Sequence, residues 1–83
     1  MQKIIIYTTN SCPYCVKAKM LLQKKQVKFE EINVNNDEIR EEMIAKSGGR
    51  KTVPQIFIGS KHIGGCDDLY ELENQKKLDE LIN

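Results

Sequence analysis

Apolar positions recur along this chain with two periods, and the changes of period mark its elements. Lys3 to Tyr7 is an unbroken isoleucine run closed by tyrosine, the pattern of a strand buried on both faces. From Pro13 to Lys25, Val16, Ala18, Met20, Leu21 and Leu22 are interleaved with lysines at 17, 19, 24 and 25. That spacing predicts an amphipathic helix, with Lys24 and Lys25 suited to its negative C-terminal end. Val27 to Val34 reads as a second strand, in which Val27 and Phe29 alternate with Lys28 and Glu30 before Ile32 and Val34 resume. Strand, helix and strand in so short a stretch make a βαβ unit with parallel strands and a right-handed crossover.

Asn35, with Glu38 three residues on, or Asp37 opens a second helix carrying Ile39, Met43 and Ile44 on one side, and Gly48-Gly49 ends it. Gln55 to Ile58 and Lys61 to Ile63 flank Gly59-Ser60, a two-residue hairpin signal, so these strands are expected to be antiparallel. Gly64-Gly65 leads into a third helix starting at Asp67 or Asp68, and Gln75 to Ile82 predicts a short helical tail through Leu78, Leu81 and Ile82. No repeat or linker interrupts the pattern, and 83 residues leave room for one domain, 1–83.

Composition narrows the function by exclusion. Thirteen basic and twelve acidic residues leave a net charge of +1, so no strong field selects nucleic acid or a membrane surface. No apolar stretch approaches the roughly 18 residues of a membrane span. Met1 to Ile6 is too short a lead for a signal peptide, so a cytoplasmic protein, monomeric at this size, is expected. Three cysteines, an odd number, argue against a disulfide-stapled secreted fold.

The chemistry is concentrated at Cys12-Pro13-Tyr14-Cys15, where the first strand gives way to the first helix. Proline is favoured at the first helical position, so Cys12 is the expected N-cap and Cys15 lies in the first turn. Unpaired N–H groups and the helix dipole there favour a Cys12 thiolate, the nucleophile and the better leaving group. A bridge between the two would close a loop worth about 2 kcal/mol, against about 3 for fifteen residues, so the pair reads as a reversible redox couple and not a staple. Cys15 should be more shielded and less ionised, ready to attack a mixed disulfide on Cys12. Tyr14 either covers the sulfurs or touches substrate, or is an ordinary exposed aromatic.

Two further segments carry candidate recognition. In Gly64-Gly65-Cys66-Asp67-Asp68, flexible backbone precedes a helix N-terminus, where N–H groups can bind a carboxylate and Asp67 can accept from an ammonium. The simpler alternative is capping by Asp67 or Asp68 with Glu71. In Thr52-Val53-Pro54, Pro54 opens the third strand, where its missing N–H removes no ladder bond. Arg50 and Lys51 just before it are candidate anion contacts. Lys19 and His62 read as solvated surface residues, and Cys66 as an inert small thiol.

The element order βαβ-α-ββ-α, with Cys-x-x-Cys after the first strand, resembles the thioredoxin fold, a four-stranded mixed sheet flanked by helices. Within it the chain closely resembles the dithiol glutaredoxins of the small bacterial type, on Cys12-Pro13-Tyr14-Cys15, Thr52-Val53-Pro54 and Gly64-Gly65-Cys66-Asp67-Asp68. The resemblance implies a glutathione-dependent thiol–disulfide oxidoreductase acting through Cys12 and Cys15 on protein disulfides and glutathione mixed disulfides. It implies no tightly bound cofactor, glutathione as co-substrate recycled by glutathione reductase, and client proteins of which ribonucleotide reductase is one candidate. It also implies a glutathione site made of Tyr14, Arg50, Thr52, Val53, Pro54, Gly65, Cys66 and Asp67. Pro54 would be cis, with the Val53 N–H and C=O turned toward the peptide; the Cys66 and Asp67 N–H groups would hold the γ-glutamyl carboxylate, and the Asp67 side chain its amine. Either Arg50 or Lys51 would meet the glycine carboxylate. Many members carry a lysine shortly before the first cysteine; here Thr8-Thr9-Asn10-Ser11 holds none.

Two other classes compete on the residues. One is a metal or iron–sulfur carrier using Cys12, or zinc on Cys12, Cys15, Cys66 and His62, ligands poorly spaced for a tetrahedral site. The other is a redoxin reduced by a flavoprotein, in which the Gly-Gly-Cys-Asp-Asp segment would have no use.

Overall fold

β1 (Ile4–Thr8) pairs along both edges, and each of its two apolar faces is covered by its own layer of the core. The computed structural model describes residues 2–83, so Met1, the first residue of the expected domain, lies outside the described residues. The sheet runs in the order β2 (Glu30–Asn33), β1, β3 (Gln55–Ile58), β4 (Lys61–Gly64). β1 and β2 are parallel, with Ile5 opposite Glu30 and Thr8 opposite Asn33. β1 with β3 and β3 with β4 are antiparallel, so the expected βαβ unit and hairpin are both present.

Alternation along the strands sorts the core into two layers. Ile4, Ile6, Ile56 and Ile58 pack with Ala18, Leu21 and Leu22 of α1 (Pro13–Lys24) and Leu69 of α3 (Cys66–Asn74). Leu78 and Ile82 of α4 (Leu78–Ile82) close this layer. On the opposite face Tyr7 and Phe57 meet edge-on, with ring centroids 5.8 Å apart, and pack with Val34 and with Met43 of α2 (Asp37–Lys46). Ile39 and Ile44, the isoleucines of α2, are half-buried. This is the four-stranded mixed sheet flanked by helices that the periodicities imply.

Among the boundaries that differ from the sequence reading, three shift for a clear local reason. The second strand is shorter than Val27–Val34. Gln26 takes a left-handed φ of 60° and the Val27 N–H returns to the Leu22 carbonyl at 3.4 Å, so the end of α1 consumes the first residue of the expected strand. α2 is capped by Asn36, whose side chain accepts from the Ile39 N–H at 2.9 Å, not by Asn35 or Asp37. α3 starts at Cys66 with Gly65 as N-cap, and the Asp68 carboxylate accepts from the Gly65 N–H at 2.9 Å. Neither Asp67 nor Asp68 is the cap residue, and Glu71 is not part of the box.

Lys25 does more than complement a helix end. Its ammonium pairs with Glu73 at 2.7 Å and Asp79 at 3.0 Å, tying the end of α1 to α3 and α4. No helix among the described residues is long and apolar enough to cross a membrane.

Candidate active site

Cys12 has the extended backbone of an N-cap, and Pro13 occupies the first helical position. The Cys12 Sγ accepts from the Cys15 N–H at 3.1 Å, filling the role a serine or aspartate oxygen has in an ordinary cap. Its S–H donates to the Val53 carbonyl 3.8 Å away, across 41 residues of sequence. The Val53–Pro54 peptide bond is cis. All three cysteines are free thiols.

The cysteines occupy different environments. Cys12 is half-buried, whereas Cys15 is 1% exposed and Cys66 5%. Burial, reinforced by the hydrogen bond with Cys12, pushes the Cys15 thiol up to about 12. Burial likewise raises the Cys66 thiol.

Tyr14, Arg50, Thr52, Val53, Pro54, Gly65, Cys66 and Asp67 all line one open cleft of about 310 Å³, together with Asp68. Lys51, the alternative cation, is exposed and does not line it. The cleft holds two attractions for anions: the Arg50 guanidinium, and the first-turn N–H groups of α3, which lack intrahelical partners. Asp68 spans the two, lying 3.7 Å from the Arg50 guanidinium while it accepts from Gly65. A Cβ at Gly65 would make only ordinary contact with the Pro54 carbonyl at 3.4 Å and the Arg50 guanidinium at 3.8 Å.

Three side chains do what the sequence reading did not foresee. Lys19 is not solvated: it pairs at 2.9 Å with Glu31 on β2, which also accepts from the Thr8 hydroxyl at 2.7 Å. Those two bonds, Thr8 first, hold the Glu31 carboxyl below its usual range. His62 is not a plain surface residue. It is half-buried, its ring lies 5.0 Å from that of Phe57, and Nε2 is 2.7 Å from the Gln55 Oε1. Gln55 is fully buried and donates to the Thr52 carbonyl at 3.0 Å. A lone carboxamide in a strand of isoleucines and phenylalanine was the available signal. Among the described residues, no group of three or more His, Cys, Asp or Glu side chains is arranged to hold a metal ion.

A Cys-x-x-Cys pair opening the helix that follows the first strand of this sheet defines a thiol–disulfide oxidoreductase of the thioredoxin fold. Known proteins narrow the class further. The family model for glutaredoxin matches residues 4–63. Glutaredoxin 1 of Rickettsia prowazekii is 58% identical over 84 residues, spanning 99% of this chain and 88% of that protein. The solution structure of glutaredoxin from Brucella melitensis superposes with a TM-score of 0.87 at 55% identity, covering 99% of this chain and 89% of that one. A buckwheat glutaredoxin–glutathione complex gives 0.87 at 28% identity, covering 98% and 76%. The chain belongs to the glutaredoxin family.

Proposed function

We propose that this glutaredoxin uses glutathione to reduce protein disulfides and glutathione mixed disulfides, with Cys12 as nucleophile and Cys15 as resolving thiol. The observation that carries the reading is the position of the Cys12 sulfur beside Val53, which lines a cleft holding both the Arg50 guanidinium and the open N–H groups of α3, suited to the two carboxylates of glutathione. The γ-glutamyl carboxylate would sit on the Cys66 and Asp67 N–H groups, with its amine toward the Asp67 side chain. Arg50 would take the glycine carboxylate. Tyr14, Thr52, Pro54 and Gly65 shape the space between, and the Val53 backbone faces the cysteinyl portion. That a buckwheat relative was solved with glutathione supports this choice of ligand.

The steps follow from the sulfur environments. Cys12, as thiolate, attacks one sulfur of the client disulfide; that S–S bond breaks, and the departing sulfur leaves as a thiolate that takes up a proton. Cys15 loses its proton as it attacks the Cys12 sulfur, forming the Cys12–Cys15 disulfide and releasing the client thiol. A first glutathione thiolate then opens this disulfide at Cys12. A second attacks the glutathione sulfur, releasing glutathione disulfide and free Cys12. A glutathionylated client enters directly at the Cys12–glutathione stage and does not need Cys15. Three free thiols suit a reducing cytoplasm, and the chain is read as one monomeric domain without a tightly bound cofactor.

Glutathione-coupled disulfide reduction by wild type, Cys12→Ser and Cys15→Ser tests this. Cys12→Ser should abolish every activity. Cys15→Ser should lose protein-disulfide reduction and keep deglutathionylation. Equal loss in both variants, or an oxidised protein that thioredoxin reductase turns over and glutathione does not, would overturn the proposal.

A further inference from the structure

Gln55 is fully buried between the cis Pro54 and the apolar residues Ile56, Phe57 and Ile58. A carboxamide is unfavourable in such a place unless its hydrogen bonds are met. Here they are met in one arrangement. The Gln55 Nε2 lies 3.0 Å from the Thr52 carbonyl oxygen and 3.3 Å from the Thr52 Oγ1. A carbonyl oxygen only accepts, so the amide nitrogen, not its oxygen, faces Thr52. The Gln55 Oε1 is therefore the end that faces the His62 Nε2 at 2.7 Å, and an oxygen there requires a hydrogen on Nε2. At the other end, Thr52 Oγ1 accepts from Gln55, so its own hydrogen points elsewhere, and Thr52 lines the cleft.

We infer that His62 and Gln55 are positioning residues for the cleft. Their donors run one way, from His62 through Gln55 to Thr52, and preset the Thr52 hydroxyl as a donor to an oxygen of the bound ligand, a carboxylate or peptide carbonyl. The inference rests on the glutathione reading of the cleft. Neither residue acts on sulfur; both act through Thr52, and the same amide anchors the backbone next to Val53.

Steady-state kinetics on a glutathionylated peptide, with KM and kcat separated, test the chain. Thr52→Val should raise KM about tenfold, the effect of one hydrogen bond, with kcat little changed. Gln55→Glu, which only accepts at neutral pH, should turn the Thr52 hydroxyl inward and raise KM similarly. The double variant should be no worse than either single one, because both remove the same donor. His62→Phe should raise KM in part, and His62→Gln, which restores an N–H, should recover it. Additive effects, or equal KM in the two His62 variants, would overturn the inference. Should Gln55→Glu fail to fold, the His62 pair decides. Nitrogen-15 NMR of His62 needs no ligand: a hydrogen on Nε2 supports the chain, and an Nδ1–H tautomer sinks it even where glutathione dependence holds. A wild type indifferent to glutathione but showing the Nε2–H tautomer would instead count against the ligand and, with it, the role given to the Thr52 hydroxyl.

Discussion

The N–H of Cys15 donates to the Sγ of Cys12 at 3.1 Å, while the Cys15 side chain lies behind it at 1% exposure. One residue thus supports the outer sulfur with its backbone and keeps its own sulfur protonated. Moving the Cys15 thiol from 9.0 to about 12 lowers its thiolate fraction roughly a thousandfold at neutral pH. Brief iodoacetamide treatment of the reduced protein at pH 7 should therefore give one adduct, on Cys12, by peptide mass mapping. Comparable labelling of Cys15 or Cys66 would contradict the burial argument.

The same shift has a consequence for stability. A thiol that ionises later in the folded state than in the unfolded chain contributes stability in full below pH 9.0, and that contribution is lost as pH rises from 9.0 toward about 12. The denaturation midpoint of the reduced protein should fall over this alkaline window. Cys15→Ala should flatten the fall, whatever its offset at pH 7.

Acid acts in the opposite direction through His62. Burial first, and the Arg50 cation second, push its titration below the ordinary 6.5. The unfolded chain then binds the proton more readily, so stability is complete above 6.5 and declines as pH falls below it. Chemical denaturation between pH 7 and 5 should show a shallower decline in His62→Gln than in wild type.

Gly64 and Gly48 both have positive φ, 121° and 71°, but different surroundings. A Cβ at Gly64 would run into the Asp68 carboxylate, whereas one at Gly48 meets nothing within 4 Å. Gly48→Ala should cost about 1–2 kcal/mol from the backbone alone. Gly64→Ala should cost more, because it also displaces the Asp68 carboxylate that accepts from the Gly65 N–H, and it should weaken glutathione binding where Gly48→Ala does not. Urea denaturation with ligand titration separates the two effects.

Arg50 lines the cleft and Lys51 does not. Arg50→Ala should raise the KM for glutathione roughly fivefold, as expected of an exposed charge contact, and added salt should erase the difference. Lys51→Ala should leave KM within error of wild type.

What was legible in the sequence is what local rules encode. The isoleucine run of β1, Pro13 at the start of α1 and the Gly59-Ser60 hairpin each announce themselves within a few residues. The misplaced boundaries depended on competition for single hydrogen bonds, as where the end of α1 captured Val27. The approach of Cys12 to Val53 is a contact across the fold that no spacing encodes; the family resemblance implied only that the Val53 backbone turns toward the bound peptide. Lys19 and His62 were misread for a related reason. Their partners lie far off along the chain or across a strand pair: Glu31 on β2 meets Lys19 only where α1 packs on the sheet, and Gln55 on β3 meets His62 only through the β3–β4 register.

The reactive sulfur comes from the parallel βαβ half of the chain, and the walls that surround it come mainly from the antiparallel half between Arg50 and Asp68. Chemistry and selectivity are therefore separable inheritances within so small a protein. A variant could exchange its ligand preference by redrawing that second half while its electron-transfer couple passed through unaltered.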